Sequence, residues 1–96
     1  MTSAPAITLA HRVSRSDQVM FQELDGEAVL LDLSGEVYFG LNEAGTRIWK
    51  LIEASPALAE VHRVLCRDYD ADSLSIERDL LALMQSLAEA GLVRVH

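Results

Sequence analysis

Between residues 18 and 41 the chain alternates apolar and polar residues in short runs that turn dipeptides separate. The run QVMFQEL ends at Asp25-Gly26, and the run EAVLLDL ends at Ser34-Gly35. Dipeptides of this kind between alternating runs are typical of β-hairpins. Together with the run EVYFGL that follows, the pattern predicts three short antiparallel strands.

Side chains at alternate positions of the third run must lie on opposite faces of a sheet. Val37, Phe39 and Leu41 share one face, whereas Tyr38 and Gly40 share the other. The first face is the more apolar of the two. We therefore expect it to lie against the core.

Three predicted helices follow the strands. Asn42 is a good N-cap for a helix over EAGTRIWKLIEA, and Ser55-Pro56 predicts both the end of this helix and the cap and first turn of the next. The second helix has an apolar stripe at Leu58, Val61, Leu65 and Tyr69. A third helix over residues 74–90 ends before Gly91, because glycine favours the left-handed position after a helix.

The remaining segments carry little pattern. Residues 1–17 are polar or small, so they are predicted to be a flexible lead-in to one domain over residues 18–96. The tail LVRVH is predicted to be a brief extension. The predicted fold class is α+β, with a three-stranded antiparallel sheet followed by three α-helices.

The third helix has a wider apolar arc than one packed face needs. One face carries Ile76, Leu80, Leu83, Met84 and Leu87, and a shoulder beside it carries Leu74, Leu81 and Ala88. Two interpretations remain open. The extra width lines a groove for a ligand, or it packs within the domain or against a second copy.

Composition narrows the classes of function. A chain of 96 residues with 50% hydrophobic content supports one domain with one core, and its net charge of −7 disfavours nucleic acid and acidic membranes as partners. The single cysteine, Cys66, excludes an internal disulfide. Neither a signal peptide nor an apolar run of ~18 residues is visible, so a cytoplasmic protein is expected.

No catalytic residue, metal site or cofactor is predicted. The three histidines fall in the lead-in, on a helix flank and at the last position, so no nucleophile with its base can be assembled. Asp68, Asp70 and Asp72 have calcium-loop spacing, but Ser73 and Asp79 stand where such a loop needs glycine and glutamate. These aspartates are instead expected to form an acidic linker that caps the third helix.

Three motifs are more specific than the composition. They are LDGEAVLLDL in the first hairpin, YFGLNEAG at the junction of strand and helix, and LAEAGL at the end of the third helix. With them, the sequence from about residue 18 to residue 95 resembles the PqqD-like family of small peptide chaperones, also called precursor-peptide recognition elements. The resemblance implies a winged-helix-like fold.

The resemblance also implies a function without catalysis. Family members bind the leader segment of a ribosomally made precursor peptide as a strand added beside the third strand, against the third helix. They present it to a modifying enzyme, such as a radical S-adenosylmethionine protein in PQQ synthesis or a leader peptidase in lasso-peptide synthesis. The quinone-pathway members favour a threonine-alanine pair after Leu-Asn, whereas LNEAGTRIW here resembles the broad family and the lasso-type members. The product is therefore left open.

The resemblance predicts a peptide-binding site of two parts. The docking strand would contribute Val37, Tyr38 and Phe39, and the helix wall would contribute Ile76, Arg78, Asp79, Leu80 and Leu83. Arg78 and Asp79 are candidates to meet charged leader side chains, and two solvated surface charges are an equally good interpretation. The pattern does not decide which shoulder of the helix faces the strand.

Two other functions compete with this one. A dimerisation module would pair the free strand edge with a second copy, so a homodimer stays open. A winged-helix DNA-binding regulator would need cations on the third helix, where Arg78 stands alone against Glu77, Asp79 and Glu89.

Overall fold

The structure is a computed structural model that describes residues 7–33 and 37–96. Its elements are, in chain order, β1 (Val13–Arg15), β2 (Val19–Leu24), β3 (Glu27–Asp32), β4 (Tyr38–Leu41), α1 (Glu43–Ala54), α2 (Leu58–Asp68), α3 (Ser73–Glu89) and β5 (Val93–Val95). The predicted three strands followed by three helices are confirmed as β2 to β4 and α1 to α3. Among the described residues, none of the helices combines the length and the hydropathy of a membrane span.

Strands β2, β3 and β4 form an antiparallel sheet in that order. The first turn is the predicted one: Asp25 and Gly26 both have positive φ, 55° and 84°, as a two-residue type I′ hairpin turn requires. The predicted turn at Ser34-Gly35 lies outside the described residues. In the register, Leu30 of β3 stands opposite Phe21 on one side and Phe39 on the other.

Two helix caps follow the sequence prediction. The Asn42 side chain accepts a hydrogen bond from the Gly45 N–H at 2.8 Å, and the Asp72 side chain accepts one from the Ser75 N–H at 3.2 Å. Gly91 has φ +78° and follows the end of α3. The N–H groups of Gly91 and Leu92 donate back to carbonyls in the last turn of α3, which is the Schellman arrangement.

The predicted restart of the helix at Ser55-Pro56 is wrong. α1 ends at Ala54, and α2 begins at Leu58 after Ala57, whose side chain makes no cap hydrogen bond. The backbone between the helices has a different use, because the Pro56 carbonyl accepts a hydrogen bond from the Val13 N–H at 2.9 Å. A contact with a distant strand therefore decides where α2 begins.

The predicted boundary at residue 18 is also wrong. β1 lies inside the supposed lead-in and pairs antiparallel with β5, with Val13 opposite Val95, and Val13 is fully buried. The tail LVRVH supplies β5, so it is part of the fold. A strand of three residues is too short to show a period of two in the sequence. Each of these strands is stabilised by pairing with the other, which is distant along the chain. Residues 1–6 lie outside the described residues.

The core lies between the inner face of the sheet and the three helices. Trp49 of α1, Leu30 of β3 and Leu80 of α3 are at most 1% exposed. The predicted inward face of β4 is confirmed for Leu41, which is buried, and for Phe39, which packs against the core. Tyr38 on the opposite face is 74% exposed. The sheet thus has one face against the helices and one face open.

Candidate functional site

β4 is an edge strand whose free side carries backbone hydrogen-bonding groups. It pairs with β3 and with no other strand in residues 7–33 and 37–96. The Asp32 N–H donates to the Val37 carbonyl at 2.9 Å, so the backbone groups of Val37 point towards β3. Because bonded and non-bonded pairs alternate in antiparallel strands, the N–H and C=O groups of Tyr38 and Gly40 point away from β3.

A groove lies beside this edge. The C-terminal half of β4, the first turns of α1 and the middle of α3 enclose it, and its lining residues are Gly40, Leu41, Asn42, Ala44, Gly45, Ile48, Asp79 and Leu83. Buried Leu41 and Ile48 form an apolar floor. The groove therefore combines an unpaired strand edge with an apolar surface, which are the two parts that strand addition needs.

Gly45 keeps the floor of the groove close to the strand. A Cβ at this position would lie 3.2 Å from Leu41 Cδ2 and 3.3 Å from Asn42 Oδ1. The small residue therefore allows α1 to begin directly after β4 with its cap intact.

The charge in the groove is acidic. Asp79 is the one charged side chain in its lining, and it is exposed. Arg78 is absent from the lining, because it lies about 100° further around α3, and its guanidinium is 3.5 Å from Ser75 Oγ. Asp79 therefore lies in the groove and Arg78 does not, although the sequence made both equal candidates to meet charged leader side chains.

The three predicted docking-strand residues lie in or next to β4, and their side chains differ in exposure. Tyr38 is exposed on the open face of the sheet, whereas Val37 and Phe39 are half-buried on or beside the inner face. None of the three lines the groove, which starts at Gly40. The accessible surfaces of this segment are therefore the β4 backbone edge and, at Tyr38, the open face of the sheet.

Two predicted wall residues belong to the core. Leu80 is fully buried and Ile76 is 9% exposed, so neither offers an accessible surface to a ligand. Leu83 is half-buried and lines the groove together with Asp79. The side of α3 that faces β4 is consequently the Asp79 and Leu83 side, and the shoulder of Leu74, Leu81 and Ala88 lies on the opposite flank.

Sequence reasoning missed the contribution of α1. Asn42, Ala44, Gly45 and Ile48 all line the groove, although Asn42 was predicted as the helix cap and none of the four was predicted to bind peptide. The available signal was the absence of a linker between β4 and α1, which forces the first turn of the helix to lie at the end of the strand.

Outside the groove, the contacts of His62 and Cys66 join two helices. His62 Nε2 lies 3.0 Å from the Ser73 carbonyl and 3.4 Å from Cys66 Sγ. A carbonyl oxygen only accepts, so Nε2 donates to it and cannot at the same time take a proton from the thiol. The contact therefore joins α2 to the start of α3 and does not activate Cys66.

Comparison with known proteins points to one family. The profile described as "Coenzyme PQQ synthesis protein D (PqqD)" matches residues 27–93. The bifunctional coenzyme PQQ synthesis protein C/D of Methylorubrum extorquens is 30% identical over 78 residues, which are 81% of this chain. The chain spans only 20% of the length of that relative.

Two solved structures are similar in fold and sequence. TbiB1 in complex with the TbiA(beta) leader peptide has a TM-score of 0.77 and 38% identity, over 83% of this chain and 93% of that one. Lasso peptide synthetase B1 complexed with the leader peptide has a TM-score of 0.75 and 30% identity, over 86% and 98%. The profile match covers the sheet from β3 onward, all three helices and the start of β5, and the chain therefore belongs to the PqqD family.

Proposed function

We propose that this chain is a non-catalytic peptide chaperone that binds the leader segment of a ribosomally made precursor peptide by strand addition to β4. The observation that carries the proposal is the free edge at Tyr38 and Gly40 beside a groove with an apolar floor. The two solved structures described above are both complexes with a leader peptide, which supports the same assignment here.

The edge supplies enough binding energy for a specific complex. Tyr38 and Gly40 each offer one N–H and one C=O, and each new hydrogen bond contributes about 0.5–1.5 kcal/mol net. Burial of one large apolar side chain against Leu83 and Ile48 adds roughly 1.5–3 kcal/mol. Together with a second anchoring side chain, these contacts offset the cost of ordering the peptide and leave roughly micromolar binding, about −8 kcal/mol.

The groove also defines the chemistry of the leader. Side chains of an added strand alternate between the groove and the open face. Those directed into the groove meet the apolar floor and the carboxylate of Asp79. The leader is therefore expected to carry an apolar residue and a Lys or Arg close to one another on the same face.

The bound peptide would then be presented to a modifying enzyme. The curated relative is a bifunctional C/D protein, so in that chain a PqqD-like part is joined to another functional part. A radical S-adenosylmethionine protein in PQQ synthesis and a leader peptidase in lasso-peptide synthesis are the two candidate recipients. We propose that the enzyme meets the bound peptide in the cytoplasm, where a ribosomally made precursor is synthesised.

The proposal is tested by peptide capture. The immobilised chain is incubated with a small-peptide fraction of the native host's lysate, and bound peptides are sequenced by mass spectrometry. The Tyr38→Pro variant, which lacks one outward N–H, is the control. Recovery of one short precursor on the parent chain alone supports leader binding. Recovery of nothing, or of the same peptides on both chains, overturns it, and self-pairing of β4 is then measured by sedimentation.

A further inference from the structure

The open face of the three-stranded sheet carries a second candidate surface, distinct from the groove. Most of the exposed large apolar side chains of the described residues lie on it, and we call this set the outer patch: Met20, Leu24, Val29, Leu31, Leu33 and Tyr38. Leu24 and Tyr38 are 78% and 74% exposed. Such side chains contribute nothing to the core on the other face of the sheet.

The strand register joins these side chains into one surface. Leu31 stands opposite Met20 on β2 and opposite Tyr38 on β4, so the three form a continuous row across the sheet. The next row has Val29 opposite Gly40, where the absent side chain leaves open space. The outer patch is therefore a contiguous exposed apolar surface and not a scatter of single side chains, and such contiguity is typical of interaction sites.

The strands that carry the outer patch have acidic side chains and no basic ones. The sequences of β2, β3 and β4 contain no Lys or Arg, and Asp25, Glu27 and Glu43 lie at the end of the sheet near the first turn. Two copies meeting through this face would bring like charges together, each on a chain of net charge −7. The electrostatics therefore favour a different protein whose apolar contact surface is bordered by Lys and Arg.

The outer patch is also continuous with the groove. Gly40, Leu41 and Asn42 line both the groove and the depression between the β2–β3 turn and β4. A peptide strand added beside β4 would place every second side chain on the open face, next to Tyr38. A partner on the outer patch would therefore contact the chain and its bound peptide together.

From this arrangement we infer that the outer patch is the docking surface for the enzyme that receives the peptide, a folded partner with an apolar surface bordered by basic residues. The inference rests on the proposed function. Because the partner contacts both components, bound leader raises the affinity of the chain for the enzyme, and the enzyme raises the affinity for the leader by the same factor.

The test begins with site-specific photocrosslinking in the native host. p-Benzoylphenylalanine replaces Leu31 in one variant and Leu74 in the other. Leu74 is a matched control, because it is apolar and 72% exposed but lies on α3. The protein captured from position 31 is identified, purified and titrated against the parent chain, Leu31→Glu and Leu74→Glu, with and without the synthetic captured leader.

The expected result is capture of a peptide-processing enzyme at position 31 alone. Leu31→Glu then weakens its binding at least tenfold, Leu74→Glu changes it less than twofold, and added NaCl weakens it. Leader binding by Leu31→Glu without the enzyme stays within twofold of the parent chain.

The inference is overturned if position 31 captures a second copy of the chain, the same proteins as position 74, or nothing. It is also overturned if Leu31→Glu leaves enzyme affinity unchanged. Failure of the proposed function gives a different result, because the parent chain itself would then not bind the leader.

Discussion

The Asp32 N–H donates to the Val37 carbonyl across 2.9 Å. This bond shows which residues of β4 direct their backbone N–H and C=O groups towards β3 and which direct them outward. With Val37 directed towards β3, the register directs the backbone groups of Phe39 towards β3 as well. Tyr38 and Gly40 are left to face outward. The chemistry of the proposed site is therefore a property of the sheet register more than of any side chain.

A proline at position 38 should weaken peptide binding strongly while leaving the fold intact. Tyr38 is the first residue of β4, a position where proline is tolerated, and its N–H makes no bond to β3. We expect Tyr38→Pro to weaken leader binding at least tenfold by isothermal titration, because one hydrogen bond and the extended backbone geometry are both affected.

The matched control for this variant is Glu23→Pro. The Leu33 N–H donates to the Gln18 carbonyl at 2.7 Å, so by the same alternation the Glu23 N–H points outward on the β2 edge. Glu23→Pro should leave leader affinity within about threefold. If Glu23→Pro impairs binding and Tyr38→Pro does not, the peptide uses the β2 edge and the assignment of β4 is wrong.

The charge of the groove should affect leader affinity through Asp79 and not through Arg78. Asp79→Lys replaces an attraction with a repulsion for a cationic leader side chain, and exposed pairs contribute about 0.2–1 kcal/mol. We expect a roughly three- to tenfold loss of affinity that shrinks at high salt. Arg78→Ala should change affinity less than twofold, and equal effects of the two variants would contradict the geometry of α3.

Leu80 and Leu83 should separate stability from binding, although both belong to the predicted helix wall. Leu80→Ala removes a fully buried side chain and should lower the free energy of unfolding by about 2–5 kcal/mol. Leu83→Ala, at a half-buried position in the groove, should cost less stability and reduce leader affinity about fivefold or more. Urea denaturation and titration measure the two effects. A larger stability loss for Leu83→Ala would be contrary to the burial described here.

The two-stranded β1–β5 sheet should contribute to global stability. Val13 is fully buried, so Val13→Ala is expected to lower the free energy of unfolding by roughly 1–3 kcal/mol. Ser14→Ala, on the exposed side of the same strand, removes only a side-chain hydrogen bond to His96 Nε2 at 2.7 Å and should change it by about 1 kcal/mol or less. If both variants change the free energy of unfolding negligibly in urea denaturation, β1 does not contribute to stability and residues 1–17 are the flexible lead-in that the sequence predicted.

Local signals predicted most of the fold. Asp25-Gly26, Asn42, Asp72 and Gly91 each have the conformation or hydrogen bond that their residue type favours, because turns and caps depend on neighbours within a few residues. The β1–β5 pair was missed because it joins strands about eighty residues apart. The start of α2 was misplaced for a related reason, because the Pro56 carbonyl binds β1.

The candidate site was only partly predictable. Periodicity correctly gave the open and inner faces of β4, but it could not show that Leu80 is enclosed while Leu83 is not, because both belong to one broad apolar arc. Nor could it separate Asp79 from Arg78. Those distinctions depend on how α3 is rotated relative to β4, which the packing of the whole core determines.

Amide hydrogen exchange, measured residue by residue by NMR with and without saturating leader peptide, examines the added strand at its own backbone. If the leader pairs with β4, the N–H groups of Tyr38 and Gly40 become strongly protected, while those of Val19, Phe21 and Glu23 on the β2 edge keep their exchange rates. Protection on the β2 edge, or binding without protection of Tyr38 and Gly40, would contradict strand addition at β4.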